Sequence, residues 1–537
     1  EIWIGRGDPV SAGAPFSLVA PAIRHAAGFI EGEPVEERRA KLSERLCRYL
    51  DAAQIQRVAT FVGELIGLRA QEADTKLLKA ARLDPVLMHD QMRRAWEDLL
   101  AAELAHHPVV LLLEDLQWGD LPSVHFIDEA LRNLNDRPLF VLAMSRPELD
   151  DTFPGLWKER NVTRIQLEEL SAKASLTLVR EVLGNKVDDV TAKSLVEQAA
   201  GNAFYLEELI RAVAEGTSSR KRLPPTILAM AQARIESIHA DSRRILRAAS
   251  IFGRAFTPSA VEQLLGGPDE APNVGMRLAQ LAQDEVISRL PEPPRGGERL
   301  FEAQYSFRHE LVRQAAYSML TEEDKLLGHR MAAQWLEENQ QGDAYSLADH
   351  FERGGQPERA VRYFRTAAEQ ALEGNDVEAA LERADRGARC GAAGEELGQL
   401  RLMQAEACRW QGMHQDSERY AEEALTLLRR ASGPWFQGAG LVAVAAGSVG
   451  HWDTLVNMGS DLAEMVPADA VIGEHLIAMA HTADRLFVVG RYEQAETLLG
   501  RIEDATWHPQ AQSPEVLGWL YRLRAFKSLF FGEPVAF

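Results

Sequence analysis

Cysteine is scarce: three in 537 residues, Cys47, Cys390 and Cys408. Thiols so far apart cannot build a disulfide framework and match no zinc-ligand spacing, so a reducing compartment, the cytoplasm, is expected. Long apolar runs are also missing. The stretch Ala431 to Trp452 holds no Asp, Glu, Lys or Arg, but glycines and Pro434 interrupt it and its apolar residues are mostly Ala and Val. A spanning helix needs about 20 strongly apolar residues. A buried small-residue helix in a helical array is expected instead, with no membrane partner. Base is scarce relative to acid: 80 Asp and Glu against 59 Lys and Arg leave a net charge of −21. Such a chain repels polyphosphate over most of its surface, so nucleic acid is not an expected partner of these residues. No Gly-x-Ser-x-Gly occurs, which leaves a hydrolase triad without support.

What is present is a globular composition, 46% apolar and 26% charged, with length enough for three or four domains. Ile2-Trp3-Ile4 followed by Gly5-Arg6-Gly7 reads as a short buried strand entering a turn. A strand with nothing before it, an opening at Glu1 rather than Met, and the turn-like Gly532-Glu533-Pro534 near the end suggest a piece of something longer. Val109 to Leu113 and Leu139 to Met144 are apolar at every position, as parallel strands buried on both faces are. Val124 to Leu134 between them has helical spacing. This is a βαβ unit, and residues 1–150 are expected to form an α/β core on a parallel sheet.

Residues 151–222 read as helical, with segments from Ser171 and Thr191 and a break at Gly201-Asn202. Leu223-Pro224-Pro225 marks the next boundary. In 223–325, helices at Ile227 to Ile238 and Asp241 to Ile251 precede two short strands, Glu285 to Leu290 and Gln304 to Phe307, around a Pro/Gly-rich loop at Pro291 to Gly297. Helices followed by a hairpin suit a winged helix. From 326 to 537 everything reads as helix, and Gly374, Gly412, Gly450, Gly490 and Gly532 recur at spacings of 38, 38, 40 and 42. Ala379, Ala380 and Ala495 occupy expected packing positions in the helices that follow. A period of this size signals stacked helical hairpins, tetratricopeptide-like because it exceeds the standard 34 residues. Residues 326–537 are expected to form an extended, right-handed solenoid whose concave face binds a protein partner or a small effector.

The strongest chemical signal is the aliphatic run ending in Glu114-Asp115-Leu116-Gln117-Trp118-Gly119-Asp120. Two carboxylates at the C-terminal end of a buried parallel strand lie at the edge where ligands bind in open α/β folds. One can hold Mg²⁺ and its neighbour can orient or deprotonate water. An acidic cap on the next helix is the other reading, and Asp120 in particular either positions this region or caps the helix beginning near Pro122. His106-His107 reads as a solvated turn without a partner ligand at helical spacing, His309 as a packed or capping histidine, and Trp410 and Tyr420 as repeat core.

With these motifs in order, the chain resembles the P-loop ATPases of the signal-transduction (STAND) group, close to AAA+ proteins. Their Walker B strand commonly ends in two acids and Leu-His-Trp-Ala-Asp, which Glu114 to Asp120 matches. Gly5 to Pro9 with Gly13 to Phe16 resembles the segment after the P-loop helix. Leu139 to Pro147 resembles the sensor strand ending in Ser/Thr-x-Arg-Pro. Gly201 to Leu209 resembles the lid signature Gly-Asn-Pro-Phe-Phe-Leu-Glu-Glu-Leu, and Tyr305 to Tyr317 the segment after the winged helix. The resemblance implies a P-loop core, truncated at its N-terminus, then an all-α lid, a winged helix and the repeats. It implies ATP and Mg²⁺ as cofactors, Glu114 and Asp115 as catalytic and metal-holding residues, and Arg146 as a γ-phosphate sensor. Asp120, Gly201, Asn202 and Ala203 would be nucleotide-binding.

Three departures stand beside it. No Gly-x-x-x-x-Gly-Lys-Ser/Thr and no Gly-Lys pair occurs, although that loop supplies the amides and Lys for the phosphates. Glu precedes Asp where many relatives have Asp first. Ala203 replaces the lid proline. The expected function is an ATP-dependent switch driving an effector domain outside these residues, a kinase, a cyclase or a DNA-binding domain, with self-association open. Two alternatives remain: a non-catalytic scaffold acting through the repeats, and a transcription activator of the maltose-regulon type.

Overall fold

A computed structural model describes residues 1–9, 13–29, 33–68, 75–83, 85–184, 187–214, 226–290, 302–339 and 341–531. The expected boundary at Leu223-Pro224-Pro225, the Pro291 to Gly297 loop and the turn at Gly532 lie outside them. The protein is mostly helical and divides into two compact units, one made of Glu1–Pro154 with Asn339–Phe537 and the other of Gly155–Glu338. Among the described residues no helix is long and apolar enough to cross a membrane.

The first unit opens with a three-stranded parallel sheet: β1 (Ile2–Arg6), β2 (Val109–Glu114) and β3 (Leu139–Ala143), with β2 in the centre. Trp3 is level with Leu111 and Val141, and Ile2 with Val110 and Phe140. Side chains alternate between faces along a strand, so these two rungs lie on opposite faces. The Trp3 face is the core. Trp3, Val109, Leu111 and Leu113 are buried there, and Trp96 of the helix Pro85–Leu104 meets the Trp3 ring at 6.0 Å. Phe126 of the helix Leu121–Asn133 closes the same layer, accepting a hydrogen bond from the Trp96 indole at 3.3 Å on its carbonyl. The opposite face differs from expectation. Phe140 is 60% and Ile2 59% exposed, and Leu142 and Met144 are exposed too. The all-apolar pattern anticipates cover on both faces, whereas the first unit buries one face and leaves these side chains of the other exposed.

The part of this unit after Asn339 is the helical array. Its first helices are uniform, each 17 residues: Pro357–Glu373, Gly394–Trp410, Gly433–Val449, Ile472–Val488 and Pro514–Phe530. Shorter helices alternate with them: Val377–Arg389, His414–Leu427, Trp452–Glu464 and Tyr492–Asp504. The recurrent glycine sits in the turn from each long helix to the short one. Gly412, Gly450 and Gly490 adopt positive φ there, which costs glycine nothing and closes the helix end. At Gly374 the backbone stays right-handed and Asn375 takes the left-handed position instead, at φ 59°. Ala380, Ala384, Ala421, Ala424 and Ala495 are fully buried at the crossings, while Ala379 is only half-buried. Trp410 is not core. It is 41% exposed, with its indole donating to Glu406 and the Arg409 guanidinium over its ring. Tyr420 is half-buried between Arg401 and Arg419.

The second unit holds two cores. The helices Ala172–Leu183, Asp189–Ala199 and Ala203–Ala214 pack around Val179, Leu195 and Leu206. A second core gathers the helices Ile227–Ser237, Ala240–Ala249, Val274–Gln283 and Glu310–Ser318 around Leu246, Leu278 and Phe307. A small antiparallel sheet joins it, with β4 (Ala255–Phe256), β5 (Ile287–Arg289) and β6 (Tyr305–Phe307) in the order β4-β6-β5. His309 is a packed histidine, its ring 4.4 Å from that of Phe204.

Candidate functional site

β2 delivers Glu114 and Asp115 to the C-terminal edge of the sheet, between the ends of its two neighbours. At Asp115 the strand stops abruptly, because its backbone is left-handed at φ 53°, ψ 45°. A residue with a Cβ takes that conformation at a cost of order 1 kcal/mol or more, and such residues concentrate at functional sites. The turn is held from both sides. Gly7 donates its amide to the Glu114 carbonyl at 2.8 Å, and a Cβ there would collide with the Asp115 carbonyl oxygen. On the β3 side, Leu116 donates to the Met144 carbonyl at 3.0 Å and Met144 to that of Leu113 at 2.8 Å.

Side chains complete the edge. Arg6, at the end of β1, pairs with Glu114 at 2.8 Å, both partly exposed. Gln117 is buried and bridges the two turns: its amide nitrogen donates to Asp115 Oδ1 at 3.3 Å, and its oxygen accepts the Arg146 amide at 3.1 Å. The exposed Arg146 guanidinium stacks over Trp118, 5.0 Å from the ring centroid. Glu114, Asp115 and Arg146 therefore share one sheet edge with Arg6 and Gln117. Sequence reading misses both of the latter. Arg6 is separated from Glu114 by over a hundred residues, though its place right after a strand offers a signal, and Gln117 sits inside the acidic motif without an acid's chemistry.

Asp120 both caps the following helix and holds the segment Phe16 to Leu18. It is 1% exposed, and its Oδ1 accepts the amides of Phe16 and Ser123, each at 2.8 Å. Its Oδ2 accepts the Ser17 hydroxyl at 2.9 Å and the Leu18 amide at 3.4 Å. Burial outweighs these donors and lifts its carboxyl above the ordinary range. Asp120 thus caps the helix Leu121–Asn133 and pins the segment Phe16 to Leu18 upon it. That segment also meets the array: the buried Arg383 donates to the carbonyls of Gly13 and, at 3.0 Å, Ala367.

The Gly201 to Leu209 segment, expected to be a lid motif, lies in the second unit. Asn202 Oδ1 accepts the Tyr205 amide at 2.9 Å, capping the helix that begins at the exposed Ala203. Gly201 has φ +80°, and a Cβ on it would lie 2.7 Å from Glu169 Cβ. His107 departs from the solvated-turn reading. Glu103 stands one helical turn before it and contacts its ring nitrogen at 3.3 Å, a spacing present in the sequence but overlooked.

No family model matches the chain. A curated protein of Rhizobium meliloti (strain 1021), itself described as uncharacterised, is 24% identical over 310 residues, 54% of this chain and 28% of that protein. The chain thus spans little more than a quarter of the length of the curated relative it matches. Among solved structures, a signal transduction ATPase with numerous domains and a tetratricopeptide repeat sensor, from Pyrococcus horikoshii, aligns at TM-score 0.36 and 10% identity, covering 99% of this chain and 78% of its own. An APC/C hetero-tetramer aligns at TM-score 0.22 and 11% identity, with 96% and 86% covered. Scores this low leave the functional reading to the geometry of the sheet edge and to the motifs themselves.

Proposed function

We propose that these residues belong to an ATP-dependent regulatory switch in which the sheet edge at Glu114 and Asp115 handles Mg-ATP and the helical array receives a protein partner or small effector. The observation that carries the reading is the acidic pair at the end of the central parallel strand, with Asp115 turned into a strained left-handed conformation. Such a turn takes its carboxylate out of the strand pattern and toward the ligand-binding edge. Asp115 is assigned the water-orienting role and Glu114 a share in holding Mg²⁺, with Arg146 stabilising phosphate charge. The phosphate-binding loop required by this reading is not among the 537 residues and must come from elsewhere. The open edge of β3, which among the described residues pairs only with β2, is the place for its strand. The contact of Arg383 with Gly13, beside the segment pinned by Asp120, offers a physical route from the array to the edge.

The test uses the longest native chain that contains these residues. Asp115→Asn should lower Mg-ATP turnover by about 10²- to 10⁴-fold, the usual worth of a positioned base, while nucleotide binding persists. Unchanged turnover in that variant refutes the assignment. One observation favours a second reading, the non-catalytic scaffold: Arg6 already neutralises Glu114. Absence of any Mg-ATP binding by the long chain, with partner capture by the array intact, selects that reading.

A further inference from the structure

At the opposite, N-terminal end of the same sheet, three side chains from two separate parts of the chain point their donor atoms at one spot. Glu1 precedes β1. Glu103 lies in the last turn of the helix Pro85–Leu104, and His107 follows one turn later, just before β2. His107 Nε2 is 3.0 Å from Glu1 Oε2 and 3.3 Å from Glu103 Oε2, and all three ligand atoms lie within 4.8 Å of one another. Their other oxygens are engaged from behind by Arg45, whose Nη2 meets Glu1 Oε1 and whose Nε meets Glu103 Oε1, each at 2.7 Å. The Trp3 indole adds a donor to Glu1 Oε1 at 3.2 Å. Glu103 is fully buried, and its Oε2, aimed into the cluster, has no hydrogen-bond partner.

We infer that Glu1, Glu103 and His107 form a site for a divalent transition cation of the zinc class. Four ligands at 2.0–2.1 Å around tetrahedral zinc stand about 3.3 Å apart; His107 Nε2 lies 3.3 Å from Glu103 Oε2 and 3.0 Å from Glu1 Oε2. One imidazole and two carboxylates suit zinc and leave the fourth position for water, since His107 and Glu1 are partly exposed. A buried carboxylate oxygen without a donor is costly, and a cation satisfies it where a proton on one nitrogen can serve only one oxygen at a time. Arg45 supplies the outer layer that fixes ligand orientation: it occupies the Oε1 atoms and turns both Oε2 atoms inward. The carboxylates of Glu1 and Glu103 supply the anionic oxygens that a divalent ion takes. The bound ion would clamp the start of β1 to the end of the helix that precedes β2. It stands apart from the acidic edge, so its failure and that of the nucleotide reading are separate results.

The experiment is calorimetric titration of the chelator-treated 537-residue chain with Zn²⁺ alone at pH 7.5. One equivalent should bind, and His107→Ala and Glu103→Gln should each weaken affinity by more than the 10- to 100-fold typical of losing an outer-layer partner. No uptake by the unaltered chain, or equal uptake by a folded His107→Ala chain, overturns the site. Should either variant lose its circular dichroism, the unaltered chain still decides. Zn²⁺ should protect His107 from diethylpyrocarbonate, read by peptide mass with neighbouring His106 as reference, and equal labelling with and without Zn²⁺ overturns the inference.

Discussion

Removing the Asp120 carboxylate tests the structural role of the acid that ends the motif. In Asp120→Ala three short hydrogen bonds vanish, from the amides of Phe16 and Ser123 and the hydroxyl of Ser17, along with the longer one from Leu18. Each buried donor left without an acceptor costs about 1–3 kcal/mol. The three buried amides, of Phe16, Ser123 and Leu18, sum to roughly 3–9 kcal/mol, from which relief of the buried charge subtracts. Burial holds the folded carboxyl above its unfolded value, so the contribution of Asp120 shrinks as pH rises through the folded value. A net loss of about 4 kcal/mol is expected, which is about a thousandfold in an opening equilibrium. Hydrogen exchange reads it directly. Protection of the Phe16 and Ser123 amides should fall by about three decades if they exchange through this opening, and Asp120→Asn, which keeps one acceptor oxygen, should lose less. Protection within tenfold of the parent in Asp120→Ala refutes the capping account. A variant with intact protection and weakened nucleotide binding would return Asp120 to the binding residues.

Two further outcomes follow from burial. Ala495→Asp places an unpaired charge at a fully buried crossing and should destabilise the local hairpins by several kcal/mol, whereas half-buried Ala379→Asp should cost about 1 kcal/mol or less; limited proteolysis that cuts both variants alike contradicts this. His350 is 1% exposed, and burial lowers its pKa to about 4 despite Asp349 beside it. A base with a lowered folded value adds stability that is full above its unfolded pKa near 6.5 and is lost as pH falls toward 4. The contribution of His350 to that loss is roughly 3 kcal/mol. The pH dependence of unfolding should flatten over this window in His350→Gln, and an unchanged slope refutes the assignment.

Local sequence determined much of this protein. The aliphatic run Val109 to Leu113 marks a buried strand, and the acids directly after it fall at the C-terminal end of that strand. The glycine period locates four of the array's turns, since each needs a left-handed residue or a close approach at a helix end. Capping is similarly local: Asp120, Asn202 and Asp376 each accept an amide three residues on. Other features were decided only by the tertiary structure. β3 is as apolar as β2, yet Phe140 and Leu142 are exposed, because sequence records an apolar residue but not whether a helix covers it. Ala379 and Ala380 are adjacent and identical, and only the rotation of their helix against its neighbours selects the one that is buried. The pairing of Arg6 with Glu114, the donation from Arg383 to Gly13 and the meeting of Glu1 with His107 join residues roughly a hundred or more positions apart. No local periodicity encodes such contacts; they exist because parallel strands and stacked hairpins bring distant segments to one edge.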